Sequence, residues 1–373
     1  QPLKQFQKEV VELMTENRLA PDTINVVPKA EWKNGAFVFD WTEFDNAAEW
    51  YFNERKVRQV YAPMLFYLFG WGHPPKNFFG EAPYAGEPPF KDADVAQLRP
   101  EYKSRYQAYL KGFWNHVKQK GWADKFVLYI SDEPNYWTPN ILGQMKAVCD
   151  MIHEVDPKIP VYSSTWRYVP EWLHSLNIWG IGHYGIVPVE KMTEIKQHGS
   201  KIWFTTDGML CLDTPYNAIE RLLPYYCFKY GADAYEFWGV AWLTYNPYHR
   251  ASHAYIYQTS TPGEYYWVRY PNGDGYLIYP GKPIGSSKIV TSVRFAQARE
   301  GVEDYEYFYL LSQLIAKAKS SGKNVSQAET VLEAVKEMVD CPSPTGRFSS
   351  KILPNPNQIY QLRQQVAETI ESF

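Results

Sequence analysis

Seven short apolar runs, interleaved with segments of helical periodicity, constrain this chain more than any other feature. The runs fall at 24–27, 57–65, 126–130, 160–164, 178–181, 201–206 and 232–238. Helical spacing covers 5–18, 43–56, 100–120, 139–154 and 216–230, and three further helices at 291–320, 326–339 and 356–372 close the chain. Short runs rich in β-branched and aromatic residues read as buried strands, and strands alternating with helices predict a parallel sheet with helical crossovers. The expected fold is α/β, a (β/α)8 TIM-like barrel. Eight strands close such a barrel, and the chain opens on a helix. Either the first strand is lacking from this chain, upstream of Gln1, or one strand escapes the pattern. Residues 1–320 are expected to form the barrel and 321–373 to add helices packed on it. An insertion at 240–290 reads as a β-hairpin before the last barrel helix. Its turn signal is Pro271-Asn272-Gly273-Asp274-Gly275, just ahead of the strand-like Tyr276-Leu277-Ile278-Tyr279.

Within that frame the run Phe126-Val127-Leu128-Tyr129-Ile130 leads into Ser131-Asp132-Glu133-Pro134. Two adjacent carboxylates at the end of a buried strand are costly, because desolvation disfavours their charged forms. The carboxyl ends of barrel strands are where catalytic groups gather. Asp132 and Glu133 are therefore the candidate catalytic pair. The plainer alternative makes them a helix start, Asp132 as N-cap and Glu133 in the first turn. Side chains alternate along a regular strand, so shared work requires a turn that swings both acids to one side.

Aromatic residues make up 17% of the chain, with 14 Trp, 30 Tyr and 19 Phe. Bulky core filling accounts for part of this. A cleft lined by flat amphipathic rings accounts for the rest, since Tyr and Trp offer an apolar face and a polar handle to a sugar. Candidate substrate contacts are Trp71, on a long Gly/Pro-rich loop at about 70–98, and Trp166. His183, Tyr184 and Asp207 sit at strand ends, Glu236 and Trp238 on a late strand, and Trp242 and Tyr245 in the insertion. Arg294 and Arg299 near Glu300, Glu303 and Asp304 read as a structural charge network on a helix.

The net charge of -3 argues against nucleic acid as a partner. No apolar stretch approaches the roughly 18 residues that span a bilayer. Cys149, Cys211, Cys227 and Cys341 lack the paired short spacing of a zinc site, and His73, His249 and His253 make no metal-ligand pattern. No metal and no cofactor are expected.

Three motifs together resemble glycoside hydrolase family 123. They are Asp132-Glu133-Pro134, the run from Gly273-Asp274-Gly275-Tyr276 to Tyr279-Pro280-Gly281, and Arg294 followed by Arg299-Glu300-Gly301-Val302-Glu303-Asp304-Tyr305-Glu306-Tyr307. The opening Glu16-Asn17-Arg18-Leu19-Ala20-Pro21 also fits, and the similarity runs from Phe6 to about Leu311. The resemblance implies a β-N-acetylgalactosaminidase-like retaining hydrolase, with a sandwich domain ahead of its barrel, working through the substrate's own 2-acetamido group. It also implies the division of labour: Asp132 holds the acetamido group and Glu133 is the acid/base. A glycan is the expected partner, and a secreted or periplasmic location follows from that role. Two other readings stay open on the residues alone. One is a two-carboxylate retaining glycosidase with Glu133 as acid/base and Glu236 as nucleophile. The other is a barrel that binds a glycan without cutting it.

Overall fold

A computed structural model describes residues 2–69, 89–92, 95–134, 139–182, 186–206, 218–242, 246–248, 254–258, 262–263, 265–269, 272–341 and 355–373. The fold is α/β. Six strands form one sheet in sequential order: β3 (Val60–Tyr61), β4 (Phe126–Ser131), β5 (Val161–Thr165), β6 (Ile178–Gly182), β7 (Lys201–Thr206) and β8 (Ala234–Phe237). The registers described for it are all parallel. The expected strand at 24–27 is reduced to a single parallel bridge between Thr23 and Tyr61, one residue ahead of the predicted run. The expected strand at 57–65 shortens to two residues, and a 3-10 turn follows at Met64–Phe66.

The chain divides into two compact units, the first being Val11–Ile181 with Glu190–Ile202. The C-terminal end of helix α1 (Pro2–Glu16) falls here, from Val11 on, and it buries Val11 and Met14. Ahead of the helix expected from Glu43 the chain forms a two-stranded hairpin that the seven apolar runs do not include, β1 (Lys29–Lys33) against β2 (Ala36–Asp40). Asn34 and Gly35 both take positive φ, 51° and 82°, which is the two-residue turn that matches strand twist. Phe37 and Phe39 set the hairpin on helix α3 (Pro100–Gln119), 5.3 and 5.0 Å from the Tyr109 ring. A side chain at Gly112 would collide with Phe39, so the glycine admits that ring. Helix α2 (Thr42–Glu49) runs on into one π-helical turn at Trp50–Glu54. Its buried Phe44 and Phe113 of α3 close on Phe126 of β4, at 5.9 and 5.5 Å. Strands β4, β5 and β6 are buried almost throughout, as parallel strands covered on both faces must be. Helix α4 (Ile141–His153) and helix α5 (Val189–Gln197) supply further apolar faces.

The second unit is Gln1–Val10, Gly182–Val189 and Trp203–Phe373. It carries β7, α6 (Ala218–Tyr230) and β8. The insertion holds a hairpin, β9 (Ala254–Gln258) against β10 (Tyr265–Arg269). The turn at 272–275 does not join that hairpin. It leads instead to Tyr276, which bridges Ala241, and then to β11 (Ile278–Tyr279) paired with β12 (Val290–Thr291). Helices α7 (Val293–Ser320), α8 (Ser326–Glu337) and α9 (Asn357–Glu371) complete the unit.

Helices α6 and α7 meet where glycine allows it. A Cβ at Gly301 would lie 2.5 Å from the Arg221 carbonyl oxygen. One turn on, the Arg221 guanidinium grips Asp304 with bonds of 2.7 and 3.2 Å, and the Tyr225 hydroxyl donates to the same carboxylate at 3.0 Å. Arg363 of α9 reaches Glu300 and Glu303 at 2.6 and 3.3 Å, and Arg299 bonds Glu300 at 2.8 Å. The expected charge network is therefore real. Arg294 stands outside it, bonding the Gly273 carbonyl at 3.1 Å and the Tyr279 hydroxyl at 2.8 Å.

Among the described residues no helix is long and apolar enough to cross a membrane. Nor do the described His, Cys, Asp and Glu gather into a metal-holding cluster. Cys149, Cys227 and Cys341 are buried free thiols, which burial holds well above the usual thiol range.

Candidate active site

The pair Asp132-Glu133 lies just beyond the last residue of β4. The helix-start alternative fails there, because α4 begins at Ile141 with Asn140 at its cap position. What turns the acids is a break in the strand. Leu128 and Tyr129 pair with Val161 and Tyr162, but Ser131 then pairs with Ser163, so β4 carries one residue more than its partner. At the same point the Ile130 carbonyl accepts from both Leu68 N and Phe69 N, at 2.8 and 3.1 Å. Such bulges re-aim side chains and concentrate beside active sites.

The consequence is visible in the hydrogen bonds. Tyr129 and Asp132 are three residues apart, so a regular strand would point them to opposite faces. With one residue added between them they share a face, and the Tyr129 hydroxyl bonds the Asp132 carboxyl. From β5, the Ser164 hydroxyl donates to Asp132 Oδ1 at 2.6 Å. The same hydroxyl oxygen accepts the Glu133 main-chain N–H at 2.8 Å. Burial pushes the Asp132 carboxyl above its usual range, and the two hydroxyl bonds pull it down without cancelling that effect.

Glu133 adopts φ of 45°, in the left-handed region that side chains other than glycine avoid. That conformation costs about 1–2 kcal/mol, and strain of this kind persists where function demands it. A stability comparison isolates it. Glu133→Gly and Glu133→Gln both delete the acid, and the glycine variant is expected to be the more stable by about 1 kcal/mol in chemical denaturation. Equal stability would mean that the turn is unstrained.

Around Tyr129 lies an aromatic nest. The Tyr129 ring centroid is 4.7 Å from Tyr61, 5.2 Å from Tyr67 and 5.0 Å from Tyr162. Tyr162 and Ser164 lie two apart on β5 and so share a face. Trp166 follows just past the strand end and is 38% exposed. The Thr165 hydroxyl bridges its flank, donating to the Arg167 carbonyl at 2.9 Å and accepting the Arg167 N–H at 3.3 Å, which holds the turn that presents Trp166.

In the second unit, three predicted contacts are described. Glu236 is half-buried on β8, paired in register with Thr205. The Trp238 and Trp242 rings stand 5.3 Å apart at 64°, an aromatic corner with Trp242 42% exposed. Buried Asp274 accepts the Trp238 indole N–H at 2.9 Å, and the Tyr276 hydroxyl donates to the Trp242 carbonyl. Gly275, at φ 79°, lets the Trp238 ring lie on the backbone, since a Cβ there would sit 2.7 Å from it. Gly275 and Asp274 of that motif thus build the Trp238–Trp242 corner. Trp71, His183, Tyr184, Asp207 and Tyr245 lie outside the described residues.

Sequence reasoning missed Ser164 and Tyr129, and named Asp274 without a role. One signal was available: Ser163-Ser164-Thr165 puts three hydroxyls at the end of a buried strand, where apolar residues are the norm.

No curated protein matches this chain. Among solved structures it is similar to a family 123 glycoside hydrolase from Clostridium perfringens, reported for glycolipid glycan hydrolysis, at 15% identity and a TM-score of 0.58. That likeness covers 92% of this chain and spans 57% of that one. The model of the glycoside hydrolase 123 catalytic domain matches residues 7–311. With that match over most of its length, the chain belongs to glycoside hydrolase family 123.

Proposed function

We propose that this protein is a retaining β-N-acetylhexosaminidase, with N-acetylgalactosamine as the preferred sugar, that uses the substrate's 2-acetamido oxygen as nucleophile. The observation that carries this reading is the Asp132 carboxyl, bonded by the Ser164 and Tyr129 hydroxyls beside Glu133 on a strained turn. A carboxylate that already accepts two hydroxyl donors is set up to accept a third, the acetamido N–H. It then stabilises the positive charge that spreads over the forming ring.

In the first step the acetamido oxygen bonds to C1 while the C1–O bond to the leaving group breaks. The Glu133 carboxylic acid gives its proton to the departing oxygen. An oxazolinium results, with Asp132 on its N–H. In the second step water attacks C1, Glu133 takes the water proton, and the C1–oxazolinium oxygen bond breaks. Two inversions leave the β configuration retained. Trp166, and the Trp238–Trp242 corner, are assigned to stacking on sugar C–H faces, and Trp71, His183, Tyr184, Asp207, Glu236 and Tyr245 to further substrate contacts. The parallel sheet is read as part of an eight-stranded barrel, with the Thr23 bridge standing where a first strand would lie. A secreted or periplasmic setting suits the role.

A panel of 4-nitrophenyl β-glycosides tests the proposal. The N-acetylgalactosaminide and N-acetylglucosaminide are expected to be cleaved, the first faster, and the galactoside left intact. Asp132→Asn is expected to lower kcat by about 10²–10³-fold, the scale of removing one transition-state charge partner. Cleavage of the galactoside, with Asp132→Asn nearly silent and Glu236→Gln inactive, would establish the two-carboxylate scheme instead. Glycan binding with no hydrolysis of any substrate would establish a lectin-like barrel.

A further inference from the structure

We propose that Ser164 is a positioning residue of this site, a single hydroxyl that holds the Asp132 carboxyl and the Glu133 main chain in one fixed relation. The inference rests on the proposed hydrolase reading and adds to it a residue that touches neither the substrate nor the reacting atoms.

Geometry supports the assignment at each step. Ser164 is 4% exposed, on a strand buried throughout, so its hydroxyl has little access to water. A hydroxyl carries one donor hydrogen and two acceptor lone pairs. Here the donor goes to Asp132 Oδ1 at 2.6 Å, and one lone pair takes the Glu133 N–H at 2.8 Å. A short bond to a carboxylate oxygen is of the charge-assisted kind. Both bonds hold β5 to the turn that follows β4. That turn is the irregular part of the site, with a bulge before it and a left-handed residue in it. A backbone in that conformation needs its neighbours to over-determine it, and Ser164 does so from the adjoining strand. Ser163 ties the same two strands one residue earlier, its hydroxyl donating to the Ser131 carbonyl at 3.1 Å. It touches neither acid side chain, so it is the natural control.

Alanine at 164 would leave the Tyr129 bond to Asp132 but free the carboxyl to rotate about it. The Glu133 N–H would lose its acceptor, and the two acids would lose their common anchor. Chemistry of this kind is sensitive to displacements of about 1 Å. Titration should register the change as well. Among the described residues the titratable group bonded to Asp132 is Tyr129 of β4, with Tyr61, Tyr67 and Tyr162 behind it, and Glu133 is the next residue of the turn. With one of its two hydroxyl bonds gone, the buried carboxyl ionises at higher pH, so the acid limb of the rate profile moves up.

Steady-state kinetics on 4-nitrophenyl β-N-acetylgalactosaminide, with full pH profiles and melting curves, provide the test. Ser164→Ala is expected to lower kcat by about 10–100-fold, with KM little changed. Its acid limb should rise in pH, and Ser164→Thr should recover most of the loss. Ser163→Ala should leave the acid limb in place. An acid limb and kcat for Ser164→Ala that match the unmodified enzyme would overturn the inference. So would a loss that follows the melting temperature with the limb unmoved. If Ser164→Ala does not fold, Ser164→Cys keeps the volume with a weaker donor, and the same shift of the acid limb decides the matter. Failure of the unmodified protein to cleave any substrate of the panel is seen before a variant is made, and overturns the hydrolase reading itself.

Discussion

Glu133→Gln is expected to cut kcat on 4-nitrophenyl β-N-acetylgalactosaminide by about 10²–10⁴-fold, the usual worth of a positioned general acid and base. The loss should be uneven across substrates. A leaving group that departs easily as an anion needs less help from a proton, so a 2,4-dinitrophenyl glycoside should lose less than an alkyl one. Exogenous azide should restore turnover on the activated substrate and yield a β-glycosyl azide, because it attacks C1, breaking the C1–oxazolinium oxygen bond, without needing a base. Loss of the same size on every substrate, with no azide product, would remove Glu133 from the acid/base role. Glutamine keeps the volume and leaves the backbone strained at φ 45°, so the melting temperature should move little.

Asp304→Ala is expected to destabilise the protein by about 3–5 kcal/mol, with no direct effect on chemistry. Arg221 and Asp304 are 1% and 0% exposed, and the pair is bidentate. Removing the carboxylate strands a buried guanidinium and leaves the Tyr225 hydroxyl without this acceptor. The melting temperature should fall by on the order of 10 °C. Glu303→Ala is the contrast. Its carboxylate is 30% exposed, its 3.3 Å bond to Arg363 is long, and the expected cost is about 1 kcal/mol or less. Similar losses from both variants would show that burial does not set the value of these ion pairs. The double variant Arg221→Met with Asp304→Leu should recover much of the single loss, since an apolar pair avoids desolvating charge.

Most strands and helices of this protein were legible from periodicity. Runs such as 126–130 and 178–181 are uniformly apolar because both faces of a parallel strand are covered, and the sheet appears where they predict it. The misses share one cause. Hairpin β1–β2 hides its apolar pattern behind aromatic residues that belong to contacts with α3, and its Asn34-Gly35 turn was passed over. The turn at 272–275 was read correctly as a turn but joined to the wrong strands, because turn chemistry is local and strand partnership is not.

For the site, residue identity and placement at a strand end could be read directly: adjacent carboxylates, a buried run before them and a proline after them mark that point of the chain. How the turn that carries the two proposed catalytic acids is built belongs to the three-dimensional structure. A bulge between Tyr129 and Ser131, a left-handed Glu133 and the hydroxyl of Ser164 from 31 residues further along shape it. The physical reason is range. Hydrophobic spacing is set by a strand's own few residues, whereas the direction of a side chain depends on register with the neighbouring strand, and that is settled only when distant segments pack.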